Sequence, residues 1–249
     1  MAFLRRNIEG GVVYEVDFTS LSSIADLGQG SVSIDGVTWY CWNNGGTNKA
    51  QIVNGSGIRI YGNGIAGNNQ AAALLAMDIG QLFGETYSTG FELWADVACS
   101  STPGTWAQYT SMNMGLSNVP TSDTNDNAML PIHPTIGYNN TVGGIAVVEN
   151  WRTSAATTVA TDSSAPATAS PLTFVLRAEG TGFEMYYGTP ATPTAWPAKS
   201  GLTLVAAHTS SLSRTYGSTL YGPRFRVPID NNEYLEVRRM RILRVWSGD

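Results

Sequence analysis

Glu92, Trp94 and Asp96 alternate with apolar residues in the run Phe91-Glu92-Leu93-Trp94-Ala95-Asp96-Val97, which sets two carboxylates beside an aromatic ring. On an extended strand, residues two and four apart share a face. An indole plate between two acceptors suits the C–H face and hydroxyl rim of a sugar, so the trio is a candidate glycan-binding site. The plainer alternative is a strand surface turned toward solvent or a neighbouring subunit. Paired carboxylates on one strand face are also what a sandwich glycosidase aims into a cleft. The other close acidic pair, Glu15 and Asp17, is better explained by charge pairing with Arg239 and Arg241 of the C-terminal run.

Other motifs carry less chemistry. Gly62-Asn63-Gly64-Ile65-Ala66-Gly67 matches the dinucleotide fingerprint in letters only, because no β-α-β alternation follows it. Asp123-Thr124-Asn125-Asp126-Asn127 opens like a calcium loop, but position six is Ala128 and position twelve is Pro134. His133 and His208 have no His, Cys or carboxylate at metal-ligand spacing, and no G-x-S-x-G elbow accompanies them. Cys41 and Cys99 lie far apart in strand-like runs and read as buried free thiols. No catalytic residue, metal ligand or cofactor site is assigned. The tryptophan of Thr194-Ala195-Trp196-Pro197 is braced by proline in a loop, either packed on its own domain or serving as a partner anchor.

The elements that must position these residues are strands. Tyr14–Leu21 reads as the first. Ser31–Ile34 and Val37–Trp42 flank Asp35-Gly36, whose tolerance of positive φ suits a type I′ hairpin turn. Ile58–Tyr61, Phe91–Ala98, Thr105–Leu116, Thr135–Tyr138, Gly144–Trp151, Leu172–Ala178, Phe183–Tyr187, Leu202–His208 and Phe225–Val227 follow, and Tyr234–Trp246 closes the chain with four arginines. Gln70–Phe83 reads as a strand ending in a helical turn. Asn118–Leu130, Thr153–Pro171 and Gly188–Gly201 read as long surface loops. No repeat divides the chain, so residues 13–249 are expected to form one sandwich behind an N-terminal arm, residues 1–12.

Composition narrows the function. Of 249 residues, 43% are hydrophobic and 13% charged, with two lysines and a net charge of −5. That balance argues against nucleic-acid binding. A low-charge face is cheap to desolvate, which suits a protein packed into an assembly. Met1–Arg6 has no apolar run behind it and no stretch reaches membrane-spanning length, so synthesis in a cytoplasm without a signal peptide is expected.

Val13–Phe18, Phe91–Val97, Phe174–Glu184 and Val237–Trp246, in that order, resemble the concanavalin A-like jelly roll. The resemblance implies an all-β fold: a single antiparallel two-sheet sandwich with long loops. The E-x-D-x-E strand of its glycanases and the metal signature of legume lectins are missing, so no site residue carries over. The chain is further similar to sandwich proteins of tailed-phage particles. That similarity implies a non-enzymatic virion surface protein, a capsid decoration or cement protein above all. It would be homo-oligomeric, with a trimer favoured, and partnered by capsid or tail subunits through Phe3, Leu4, Arg5, Arg6 and Trp196. The alternative is a carbohydrate-binding module for a cell-surface glycan, and the third reading is a polysaccharide hydrolase or lyase.

Overall fold

A computed structural model describes residues 11–43, 50–61, 72–78, 82, 90–100, 111–117, 134–139, 144–149, 157–163, 171–179, 182–190, 192, 195–209, 221–228 and 233–245. Sixteen strands run through them: β1 (Val12–Asp17), β2 (Gly30–Ile34), β3 (Val37–Asn43), β4 (Ala50–Val53), β5 (Gly57–Tyr61), β6 (Ala72–Asp78), β7 (Gly90–Cys99), β8 (Ser111–Ser117), β9 (Pro134–Asn139), β10 (Gly144–Glu149), β11 (Thr157–Asp162), β12 (Leu172–Glu179), β13 (Gly182–Gly188), β14 (Thr203–Thr209), β15 (Tyr221–Pro228) and β16 (Tyr234–Val245). They build two antiparallel sheets. The terminal sheet has the order β14-β13-β12-β7-β16-β5-β4, with β1 also paired to β16; the opposite sheet has the order β11-β10-β9-β8-β15-β6-β3-β2.

Each sheet turns one residue face inward, and the two faces share one core. Tyr138 meets Phe174 at 5.3 Å from one sheet to the other, and Phe18, in the turn after β1, meets Trp39 of the opposite sheet edge-on at 5.8 Å. Burying rings of this size supplies much of the driving force that holds two sheets face to face. The expected all-β two-sheet sandwich is the fold.

Local chemistry explains the clearest element. Asp35 and Gly36 have φ of 52° and 75°, the left-handed geometry a type I′ turn needs, and β2 pairs with β3 around them. Two expectations are corrected, and one strand was not anticipated. The first strand stops at Asp17, because its carboxylate accepts from the Thr19 amide at 2.9 Å and starts a 3-10 turn at Phe18–Ser20. Thr157–Asp162, taken as loop, pairs with β10, and Ala50–Val53 adds a strand beside β5. Thr157–Asp162 is short and mostly polar, and Ala50–Val53 has only four residues, so both are ordered by their neighbours more than by their own pattern. Gln70–Phe83 contributes the expected strand as β6. The arm residues Phe3, Leu4, Arg5 and Arg6, the Gly62–Gly67 turn, Asp123–Asn127 and His133 lie outside the described residues, as does the side chain of His208.

Cys41 and Cys99 are buried thiols outside any disulfide, and burial pushes the Cys41 thiol up to about 11. The folded protein is expected to leave an aromatic disulfide reagent unreacted at pH 8, with two thiols titrating once urea unfolds it. Rapid reaction of either thiol in buffer would contradict this burial.

Candidate functional site on the terminal sheet

The outer face of the terminal sheet carries the residues singled out by the sequence. Along β7, Phe91, Leu93, Ala95 and Val97 enter the core, while Glu92, Trp94 and Asp96 take the other face as expected. That face is not open to solvent here. Glu92, Trp94 and Asp96 are only 2%, 1% and 3% exposed, which corrects the picture of an accessible plate. The cover comes from β16 on one side and from the segment 195–201 above.

A bulge in β16 brings in the first part of the cover. Val237 pairs with Val97 and Arg239 with Asp96, so Arg238 is an extra residue against a regular β7. Before the bulge Leu235 and Val237 face the core; after it Met240 and Ile242 do. The shift of parity sends Arg239 and Arg241 to the outer face, directly opposite Asp96 and Trp94. Without the extra residue, both guanidinium groups would point into the core.

The side chains then close a network. Arg239 Nε donates to Asp96 Oδ2, and Thr173 Oγ1 donates to Asp96 Oδ1. Trp94 Nε1 donates to Glu92 Oε2 at 2.9 Å, and Lys199 Nζ reaches Glu92 Oε1 at 2.8 Å. The Arg241 guanidinium lies 4.2 Å from the Trp94 ring centre and 4.8 Å from that of Trp196. Arg239 stacks on Trp196 at 4.1 Å and donates through Nη2 to the Ala195 carbonyl at 2.7 Å. Trp196 Nε1 donates to Glu15 Oε1 at 3.0 Å. Trp196 is thus half-buried on its own sheet, and its ring shields the charges beneath it.

The terminal strands do pair, with Glu15 opposite Arg241 and Asp17 opposite Arg239. The bonding differs from the expected one. Arg239 turns to Asp96, and Asp17 spends its carboxylate on Thr19. Glu15 serves Trp196 and favours the charge on Arg241, whose affinity for its proton is lowered by burial. Burial likewise raises the Asp96 carboxyl above its ordinary value, against the opposing pull of Thr173 and Arg239.

A second group on the same face was not anticipated. At the β4-β5-β16 end, Gln51 is opposite Arg59 and Arg59 is opposite Glu236, with Tyr61 opposite Tyr234 in the next row. The tyrosine rings are 5.1 Å apart and tilted by 53°, and Arg59 sits 4.8 Å from the centre of the Tyr234 ring. Gln51 Nε2 donates to the Tyr61 hydroxyl at 2.7 Å. Arg59 Nε and Arg238 Nε each donate to buried Glu236 at 2.9 Å. The sequence signal was the alternation of Ile58-Arg59-Ile60-Tyr61; its partner Tyr234 lies far along the chain. Among the described residues, no group of three or more His, Cys, Asp or Glu is gathered to hold a metal.

No family model matches the chain, and no curated protein does. Solved structures share its fold. The carbohydrate recognition domain of Emp46p in its potassium-bound form superposes with a TM-score of 0.51 at 10% identity, over 82% of this chain and 88% of that one. A legume lectin-like domain from Entamoeba histolytica gives 0.51 at 11% identity, over 84% and 90%. A Trypanosoma rangeli sialidase mutant displaying trans-sialidase activity gives 0.50 at 11% identity, over 96% of this chain and 32% of that one. The chain spans 47% of the matched botulinum neurotoxin type C chain. The fold is a lectin-like, concanavalin A-like β-sandwich.

Proposed function

We propose that this chain is a non-catalytic carbohydrate-binding module whose ligand-facing surface is the outer face of the terminal sheet. One observation carries the reading. That face presents four half-buried aromatic side chains, Tyr61, Tyr186, Trp196 and Tyr234, each tied to a planar polar group. Tyr186 donates to Glu184, Trp196 donates to Glu15, Tyr61 accepts from Gln51, and Tyr234 lies under Arg59. A sugar has apolar C–H patches ringed by hydroxyls, so it is held by exposed rings flanked by fixed donors and acceptors. The likeness to a carbohydrate recognition domain and a legume lectin-like domain supports the same scaffold use. Fixed side chains limit the entropy lost when a ligand binds.

A glycan array probed with the labelled protein tests the reading. Saturable binding to a defined group of glycans, competed by the free oligosaccharide and unaccompanied by bond cleavage, is expected. Turnover of a bound polysaccharide would replace the module by a hydrolase or lyase.

A second reading, a surface protein of a tailed-phage particle, is favoured by the low charge and by Leu204. That residue is 50% exposed on β14, at the end of the terminal sheet's strand order. Light scattering after size exclusion should then give a closed oligomer, a trimer above all, that copurifies with capsid or tail subunits. A monomer with glycan affinity leaves the first reading alone.

A further inference from the structure

We propose that the saccharide site lies where β4, β5 and β16 meet, on Gln51, Arg59, Tyr61 and Tyr234, and that it takes a neutral pyranose. The inference rests on the carbohydrate-binding reading and locates its site away from the Trp94 cluster.

The two aromatic groups on this face differ in what they leave over. In the Trp94 cluster, Arg241 covers the indole face, Trp196 approaches its edge at 6.1 Å, and the Glu92 and Asp96 oxygens are held by Trp94, Lys199, Thr173 and Arg239. A ligand reaching Trp94 would have to lift Trp196 from Glu15 and from both guanidinium groups. In the tyrosine group, Arg59 takes one face of the Tyr234 ring, while the Tyr61 ring, tilted by 53° against it, remains half-buried beside the amide of Gln51. A pyranose lying on Tyr61 would meet three fixed polar groups. Gln51 donates to Tyr61 through its nitrogen, which leaves its carbonyl oxygen to accept from a sugar hydroxyl. Arg59 is anchored through Nε on Glu236 and through Nη2 on Ser56 Oγ at 3.2 Å, and it also hydrogen-bonds the Tyr61 side chain, so its guanidinium is fixed at the edge of that ring. The Tyr61 hydroxyl accepts from Gln51 and has its own proton to give.

Charge selects the class of sugar. Arg59 and Arg238 share Glu236. Arg59 thus already holds a carboxylate partner in Glu236. An acidic sugar would have to compete with Glu236 for Arg59, so neutral hexoses are favoured.

The test measures binding of cello-, manno- and galacto-oligosaccharides, with oligogalacturonate and sialyllactose as acidic probes, by titration calorimetry. Tyr61→Ala is expected to weaken binding of the neutral ligand at least tenfold, and Gln51→Ala several-fold. Trp196→Ala should weaken it by less than Tyr61→Ala does, and Leu204→Ala, on β14 at the other end of the strand order, should stay within twofold. Melting curves check each variant, and Tyr61→Phe, which keeps the ring and removes only the hydroxyl, guards against a folding defect. Loss with Trp196→Ala and none with Tyr61→Ala or Gln51→Ala would overturn this location while leaving a carbohydrate-binding protein. Preference for the acidic probes would overturn the neutral class. Absence of binding to every glycan on the array would remove the parent reading, and this one with it.

Discussion

Arg239→Met is expected to lower the unfolding free energy at pH 7 by about 3–5 kcal/mol in urea titrations, the cost of orphaning a buried charge. Asp96 and Arg239 are both buried, and their ion pair is the inner link of the outer-face network. Methionine fills the space of the stem, but it leaves the Asp96 carboxylate with Thr173 alone and the Ala195 carbonyl without its donor. The cation also leaves the Trp196 ring, so tryptophan emission should shift to the red as the indole gains solvent. The pH dependence has a definite sign. Burial already raises the Asp96 carboxyl in the folded state, and loss of Arg239 raises it further. A raised folded value means that the protonated form is tolerated and the charged form is not. The deficit of the variant should therefore be small in acid and grow as pH rises through that value. Replacing both partners, as in Asp96→Leu with Arg239→Met, should recover most of the loss, since apolar pairs often substitute well for buried ions. A single-variant cost below roughly 1 kcal/mol would mean the pair is solvated, as surface bridges are.

Gly57→Ala is expected to cost about 3 kcal/mol or more, from a strained backbone and a collision together. Gly57 has φ of 124°, a conformation that side chains rarely adopt. A Cβ there would strike the Val237 carbonyl oxygen and lie 3.0 Å from the Arg238 Cα. Both belong to the backbone of the β16 bulge, so neither yields without moving it. That bulge turns Arg239 and Arg241 outward, and the substitution should disturb the whole cluster. Gly55→Ala is the internal control. Its φ of 80° is also unfavourable, but nothing lies within 4 Å of the added carbon, and about 1 kcal/mol is expected. Equal losses at the two glycines in denaturant titrations would show that the close approach to β16 carries no weight.

Several features needed no partner to be read. Asp35-Gly36 between two apolar runs is a hairpin by backbone preference alone. The alternation of Phe91 to Val97 separates core from outer face, because strand geometry makes every second residue a neighbour. The acidic first strand and basic last strand met as expected, since opposite charges and a shared apolar pattern favour one register. Fourteen strand-like stretches and no long helical one leave a two-sheet sandwich as the economical fold.

Exposure and partnership were not legible in the same way. Period two assigns Trp94 to a face; whether that face is wet depends on what lies over it. Here the cover is Trp196, bonded to Glu15 at a separation of 181 residues, and no local pattern links the two. The step from Leu235 and Val237 to Met240 and Ile242 is written in the sequence as a break in alternation. Only the regular strand β7 beside it turns that break into a bulge and sets Arg239 on Asp96 rather than Asp17. Tyr61 and Tyr234 are equally ordinary until the sheet pairs them. By itself, then, the sequence determined the period, the turns, the low charge and hence the fold class, because those follow from each residue's own preferences and its near neighbours. The tertiary structure decided which charges bond, which aromatic rings stay within reach of a ligand and where a site can lie, because those depend on free energies shared between residues the chain brings together only when it folds.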